Sequence, residues 1–347
     1  MWPAERLVYP DPATEFPVER LTDPANSSFL PPLGARAFAR KSGFLIYASD
    51  RAGSFQLYRM QERTGESEQL TEAAALDPQA FTLAADDEGF CFCDGPVLHR
   101  GSLRTIKTKT LYHTPQGWRR EPGLSLSPDG KQIALVESAA GRWRLRLIRT
   151  GSGRSVTLAE HTAPIRDPVA GPREQVLYIC EDRLWLAGPR ASPPQRLPIP
   201  DGNVLQACWA PDGRRLIYLL QPAGKAKLAE IREYEPTPPN DRLVAATSQF
   251  ACFAVNGDSS VFLGASASVA SPYLLLLLRV TRRELALCEH AARDPSRVRP
   301  SFSPDSRRVY FQSDREGKFA LYRMNVERLV EPTDTQARVR SAGRSPV

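Results

Sequence analysis

The side chains that could do chemistry are few in this chain and unevenly placed. Arg297 and Arg299 flank Val298 near the C-terminal end. Guanidinium groups suit planar carboxylates, which they grip through paired hydrogen bonds, so the two arginines form a candidate anion clamp. A solvated basic loop is the other reading. His290, in Cys288-Glu289-His290, has an imidazole whose ordinary pKa lies near neutrality, which makes it a candidate proton shuttle. It reads equally as a loop residue satisfied by a backbone carbonyl. Asp294 and Gln249 can hydrogen-bond hydroxyl groups of a ligand if their loops reach a common pocket, although Asp294-Pro295 is also a usual way to start a turn.

Metal and disulfide chemistry find little support. The four histidines, His99, His113, His161 and His290, are far apart in sequence, so a histidine-rich metal centre is hard to build, and no cofactor is expected. Six cysteines (Cys91, Cys93, Cys180, Cys208, Cys252, Cys288) include one close pair, spaced C-x-C. That matches neither a dense disulfide framework nor a C-x-x-C knuckle, and reduced, buried thiols are expected.

The 347 residues carry 46 Lys+Arg against 39 Asp+Glu, a formal charge of +7. The basic residues are spread along the whole chain with no recognised binding motif, so nucleic acid is not the expected partner, whereas a polyanionic sugar would also gain from basic steering. The first thirty residues lack an apolar signal region, so a cytoplasmic location is expected. The most apolar run, Tyr273 to Leu278, is stopped by Arg279, far short of the roughly 20 residues of a membrane helix, so no membrane association is expected.

The elements that must position these residues are read from a repeat. Ser127-Pro128-Asp129-Gly130, Ala210-Pro211-Asp212-Gly213 and Ser303-Pro304-Asp305-Ser306 each lead into an alternating apolar strand, with weaker copies at Ala85–Gly89 and Val255–Asp258. The copies recur at roughly one or two multiples of 42 to 49 residues, near the period of a four-stranded propeller blade. Pro presets φ, Asp caps the turn and Gly releases it, so each copy reverses the chain between two strands. A third strand follows, as in Phe55–Met60, Trp143–Ile148 or Phe319–Met324, then a short edge strand such as Ser155–Leu158. The alternating Arg142-Trp143-Arg144-Leu145-Arg146 is such a strand with one wet face. Units beginning near Ala37, Gln79, Gly123, Ile165, Val204, Phe250 and Pro300 number seven. The expected fold is therefore all-β, a seven-bladed β-propeller of four-stranded antiparallel blades over residues 16–330. Polar tails are expected at 1–15 and 331–347. The last blade runs out near Met324, and Phe16–Thr22 is expected to add its outer strand, because an open edge would be a liability.

Two stretches carry a family resemblance. Arg20-Leu21-Thr22, Leu45–Arg51, Leu57–Met60, Thr64-Gly65-Glu66 and Gln69-Leu70-Thr71 resemble the start of oligogalacturonate lyases, and Pro300–Asp305 with Val309–Lys318 resembles their end. The repeat itself also resembles TolB-type propellers. The lyase resemblance implies β-elimination of short α-1,4-linked galacturonides, in pectin breakdown. The uronate carboxylate is neutralised, a base takes the C5 proton and the C4 glycosidic oxygen leaves. It also implies manganese, held by histidines and a glutamine at the axial face. Here the sequence departs from the family. Arg297 and Arg299 stand where a His-Pro-His pair is expected, Asp294 where the glutamine is, and Gln249-Phe250-Ala251-Cys252 holds no histidine. The expected chemistry is then metal-independent or altered, with arginine neutralisation of an acidic oligosaccharide.

The competing expectation is a non-catalytic propeller that binds acidic sugar or a protein partner, since one propeller frame hosts unrelated functions. Convergence of Arg297, Arg299, His290 and Gln249 in one polar pocket separates the two.

Overall fold

The computed structural model describes residues 1–330 apart from Leu33, Lys41, Ser42, Arg190, residues 225–227 and Ser248. The tail expected at 331–347 lies outside the described residues. Among the described residues the strands form seven antiparallel sheets, joined by turns and two single-turn 3-10 segments. This is the seven-bladed propeller that the repeat implies.

The blade turn works as its composition requires. Ser127 Oγ donates to Asp129 Oδ1 at 2.6 Å, that carboxylate accepts the Lys131 amide at 3.1 Å, and Ser127 Oγ in turn accepts the Gln132 amide at 3.0 Å. The same pattern recurs around Ser303 and Asp305. Gly130 sits at φ +72°, and a Cβ there would lie 2.7 Å from that of Ala85 in the neighbouring blade, so both backbone conformation and space call for glycine.

The ring closes at its seam as expected. Pro17–Arg20 pairs with Ala320–Asn325, and Arg323 holds Glu19 at 2.5 Å across the joint. The stretch 1–15, expected as a tail, is corrected in part. Leu7–Pro10 pairs with Pro17–Arg20 as a fifth strand of the last blade. The reason is Asp11, 1% exposed, whose carboxylate takes the amides of Ala13 and Thr14 at the hairpin and the amide of Glu289 in blade six. The first blade also begins earlier than Ala37. Its innermost strand is Ser28–Phe29, cut short because Pro31 and Pro32 cannot donate to a ladder.

Apolar side chains fill the space between blades. Leu263, Leu274 and Leu276 of blade six meet Phe311, Tyr322 and Met324 of blade seven, all at most 3% exposed. The apolar run therefore becomes the inter-blade strand Tyr273–Leu278, and among the described residues no helix is long and apolar enough to cross a membrane. All six cysteines are free, five of them buried. Burial pushes the thiols of Cys91, Cys208 and Cys252 up to about 12.

Gly264 gives a direct test of this packing. The Phe250 ring lies over it, and an added Cβ would stand 2.3 Å from a ring carbon. Gly264→Ala is expected to destabilise the protein by about 1–3 kcal/mol, read as a lower urea midpoint, with much of the loss restored by adding Phe250→Leu.

Candidate functional site

In a propeller every innermost strand runs the same way along the axis, so the residues that open these strands share one mouth. Leu76–Leu83, Ile165–Ala170 and Phe250–Val255 bring Asp77, Gln79, Arg166 and Asp167 to that mouth, with Gln249 just ahead of its strand. In blade seven the 3-10 turn Pro295–Arg297 and Val298 feed Arg299 toward the axis.

Arg299 ties the mouth together. Its Nη1 donates to the carbonyl of Leu30 at 2.7 Å and its Nη2 to Gln79 Oε1 at 3.1 Å, linking blade seven to blades one and two. Burial pushes its pKa down to about 10, and the charge of Arg297 adds to this, while Asp167 and Asp77 pull the other way. The guanidinium thus stays cationic at neutral pH although it is largely desolvated. Its backbone is held at φ +49°, the left-handed region that a non-glycine residue enters only when its surroundings enforce it. Toward the opposite end of the axis, Arg299 borders a cavity of about 320 Å³ lined by Gln206, Trp209, Phe253 and Phe302.

Arg297 is exposed, and its guanidinium lies over the rings of Phe319, at 4.5 Å, and Phe29, at 5.7 Å. Both arginines lack a carboxylate partner among the described residues. Other arginines of the mouth are paired: Arg120 holds Asp77 at 2.6 Å, and Arg166 holds Asp182 at 3.0 Å.

The remaining candidates take supporting positions. Asp294 accepts the amide and hydroxyl of Ser296 at 3.0 and 2.6 Å, so its carboxylate caps the 3-10 turn that presents Arg297. Gln249 is exposed, and its Oε1 accepts from Ser266 Oγ at 3.3 Å. His290 is 0% exposed. Its Nε2 faces the carbonyl of Ser266 at 2.9 Å and its Nδ1 accepts the Ala292 amide at 3.1 Å, which requires the neutral tautomer protonated at Nε2. Burial lowers its pKa, the Ser266 carbonyl offsetting part of the effect. Of the four side chains expected to converge, Arg297 and Arg299 share the axial mouth, Gln249 stands at its rim, and His290 is sealed beneath the rim by the Ser266 backbone.

Asp77, Gln79, Arg120, Arg166 and Asp167 are not among the site candidates read from the sequence, where Gln79 marks only the start of a blade. One signal was present: Asp77-Pro78 and Asp167-Pro168 sit at the opening of an innermost strand, as Asp294-Pro295 precedes one, and each reads in isolation as an ordinary turn.

No family model matches the chain. It is 21% identical to the oligogalacturonide lyase of Pectobacterium atrosepticum and 20% identical to the oligogalacturonate lyase of Dickeya dadantii, in each case over 92% of this chain and 95% of the relative. The solved structure of an oligogalacturonate lyase in complex with manganese superposes with a TM-score of 0.86 at 21% identity, covering 93% of this chain and 96% of that one. The donor set here does not fit such a metal. Among the described residues no three His, Cys, Asp or Glu side chains gather as ligands, and Arg297 and Arg299 are cationic donors, which cannot ligate a cation. The chain is thus a seven-bladed β-propeller, similar along most of its length and in its fold to these oligogalacturonate lyases.

Proposed function

We propose that this protein binds short galacturonides at the axial mouth and cleaves them by β-elimination, with guanidinium groups in place of a resident metal. The observation that carries the reading is that Arg297 and Arg299 stand at the mouth against aromatic rings and neutral oxygens, and among the described residues no carboxylate lies within ion-pair distance of either, Asp77 and Asp167 acting on Arg299 only from farther off. A uronate carboxylate supplies the missing anion. Arg299 is the deeper and more desolvated group, so its attraction for that anion is weakly screened. Offsetting the carboxylate charge acidifies the C5 proton, because the carbanionic charge that builds at C5 spreads onto a carboxylate already held by guanidinium. Asp294 positions Arg297, Gln249 offers hydrogen bonds to sugar hydroxyls at the rim, and His290 braces the rim through Ser266. Six free cysteines suit a reducing compartment, and the cytoplasm is the proposed location.

The test is incubation of the purified protein with digalacturonate and trigalacturonate, following the ultraviolet absorbance of the unsaturated product and calorimetric binding, with manganese and with a chelator. The expected result is binding together with an absorbance rise that the chelator leaves within about 2-fold. Loss of turnover on chelation with recovery on manganese would overturn the guanidinium role. Neither binding nor product under any condition would sink the galacturonide reading entirely.

A further inference from the structure

We propose that Asp167 is the proton acceptor of this elimination, a role that rests on the galacturonide reading above. Asp167 sits at a β-bulge on the innermost strand of blade four, where pairing with Val176–Cys180 slips between Arg166 and Val169. Its φ is +48°, and Pro168 follows, so the strand is bent away from its ladder at this one place. Bulges of this kind re-aim a side chain, and strained backbone collects where a group must be held in one orientation.

The surroundings single out this carboxylate from the others at the mouth. Asp77 is committed, with Arg120 at 2.6 Å on one oxygen and the Gln79 amide at 2.8 Å on the other. Asp294 is occupied with Ser296. Among the described residues Asp167 has a single ion pair, to Arg166 at 4.0 Å, and that guanidinium is already drawn toward Asp182 at 3.0 Å. Its side chain is 47% exposed, so solvent and a ligand can reach the carboxylate. The charge of Arg299 reaches it from blade seven, which places a base and a carboxylate-binding guanidinium on the same opening. Burial raises the Asp167 pKa, with Arg166 and Arg299 working against the rise, and a carboxylate of higher pKa is the stronger base. His290, the other candidate for moving a proton, has both ring nitrogens held by backbone.

The step balances as an elimination. The C5 proton passes to an Asp167 carboxylate oxygen, the electron pair of the C5–H bond forms the C4–C5 double bond, and the C4–O bond breaks. The departing glycosidic oxygen takes a proton from water, and Asp167 returns its own to solvent.

The experiment compares the full-chain protein with Asp167→Asn and Asp167→Glu on trigalacturonate, measuring calorimetric binding, the rate of absorbance rise, and hydrogen exchange at C5 in D₂O by NMR. The expected result is binding by the Asn variant within about 3-fold of wild type, turnover lower by about 10² to 10⁴, no exchange at C5, and partial recovery in the Glu variant. An Asn variant that eliminates within about 3-fold of wild type would overturn the proposal. So would loss of binding together with a lowered melting temperature in both variants, which would make Asp167 a structural residue. Wild type that binds without eliminating removes the proposed base and leaves the binding reading standing, whereas wild type that does not bind removes the reading itself.

Discussion

Arg299→Ala is expected to weaken trigalacturonate binding by at least about 30-fold and to lower the elimination rate by about 10² to 10³, the scale seen when one donor is taken from a desolvated anion site. The size of the effect follows from where the group stands. Arg299 is held by Leu30 and Gln79 from two other blades, so its orientation exists before ligand arrives and little rotamer freedom is lost on binding. Arg297 is exposed and stacked on Phe319, so Arg297→Ala should cost less, about 3- to 10-fold. Arg299→Lys keeps the charge and loses the planar fork, so it should recover only part of the rate. Calorimetry with the three variants reads these differences directly. An Arg299→Ala variant that binds and turns over like wild type would end the clamp while leaving the fold assignment untouched.

The blade repeat was legible because a Ser-Pro-Asp-Gly turn is built from contacts within five residues, and such contacts can be read from a short window. The seam was legible from an absence: the seventh unit stops at its third strand, and an unpaired edge demands the strand that Pro17–Arg20 supplies. The hairpin ahead of it was missed because its stability comes from Asp11 bonding to Glu289, nearly the whole chain away. The site divides in the same way. Arg297 and Arg299 could be found from their place before the last blade turn. Asp77, Gln79 and Asp167 could not, since only ring closure carries blades two and four to the same opening as blade seven. The burial of His290 depends on the backbone of Ser266, which no local pattern around Cys288-Glu289-His290 announces.

The largest expected effect on stability lies away from the mouth, at Glu233. Its side chain is 1% exposed, and its two oxygens face three guanidiniums: Arg215 at 2.6 Å, Arg242 through Nε at 2.6 Å and Arg279 at 2.8 Å. Arg215 and Arg242 flank it in blade five, and Arg279 reaches across from blade six, so one carboxylate joins two blades that nearer the axis are linked through Gln206 and the Phe253 backbone and elsewhere pack apolar side chains. Glu233→Gln keeps the volume and leaves three cations around a neutral amide, with an expected loss of about 3–5 kcal/mol. A Gln variant whose urea midpoint matches wild type would refute this. The pH dependence has a definite sign. Burial pushes the Glu233 carboxyl up, but the hydrogen bonds from Arg279 and Arg242 and the charge of Arg215 outweigh it, so its pKa lies below the usual value. A lowered folded-state pKa means that the contribution is fully present above the unfolded value of about 4.3 and is lost as pH falls through the folded one, because protonation then favours the unfolded chain. Wild type should therefore lose stability over that acid range, and the Gln variant should lose less of what it has. Galacturonide affinity in the folded Gln variant should stay near wild type, since Glu233 lies on the third strand of blade five, Glu230–Pro236, and Arg279 just follows the third strand of blade six, both well out from the axis. That separates it from Arg299, whose removal acts on the ligand first.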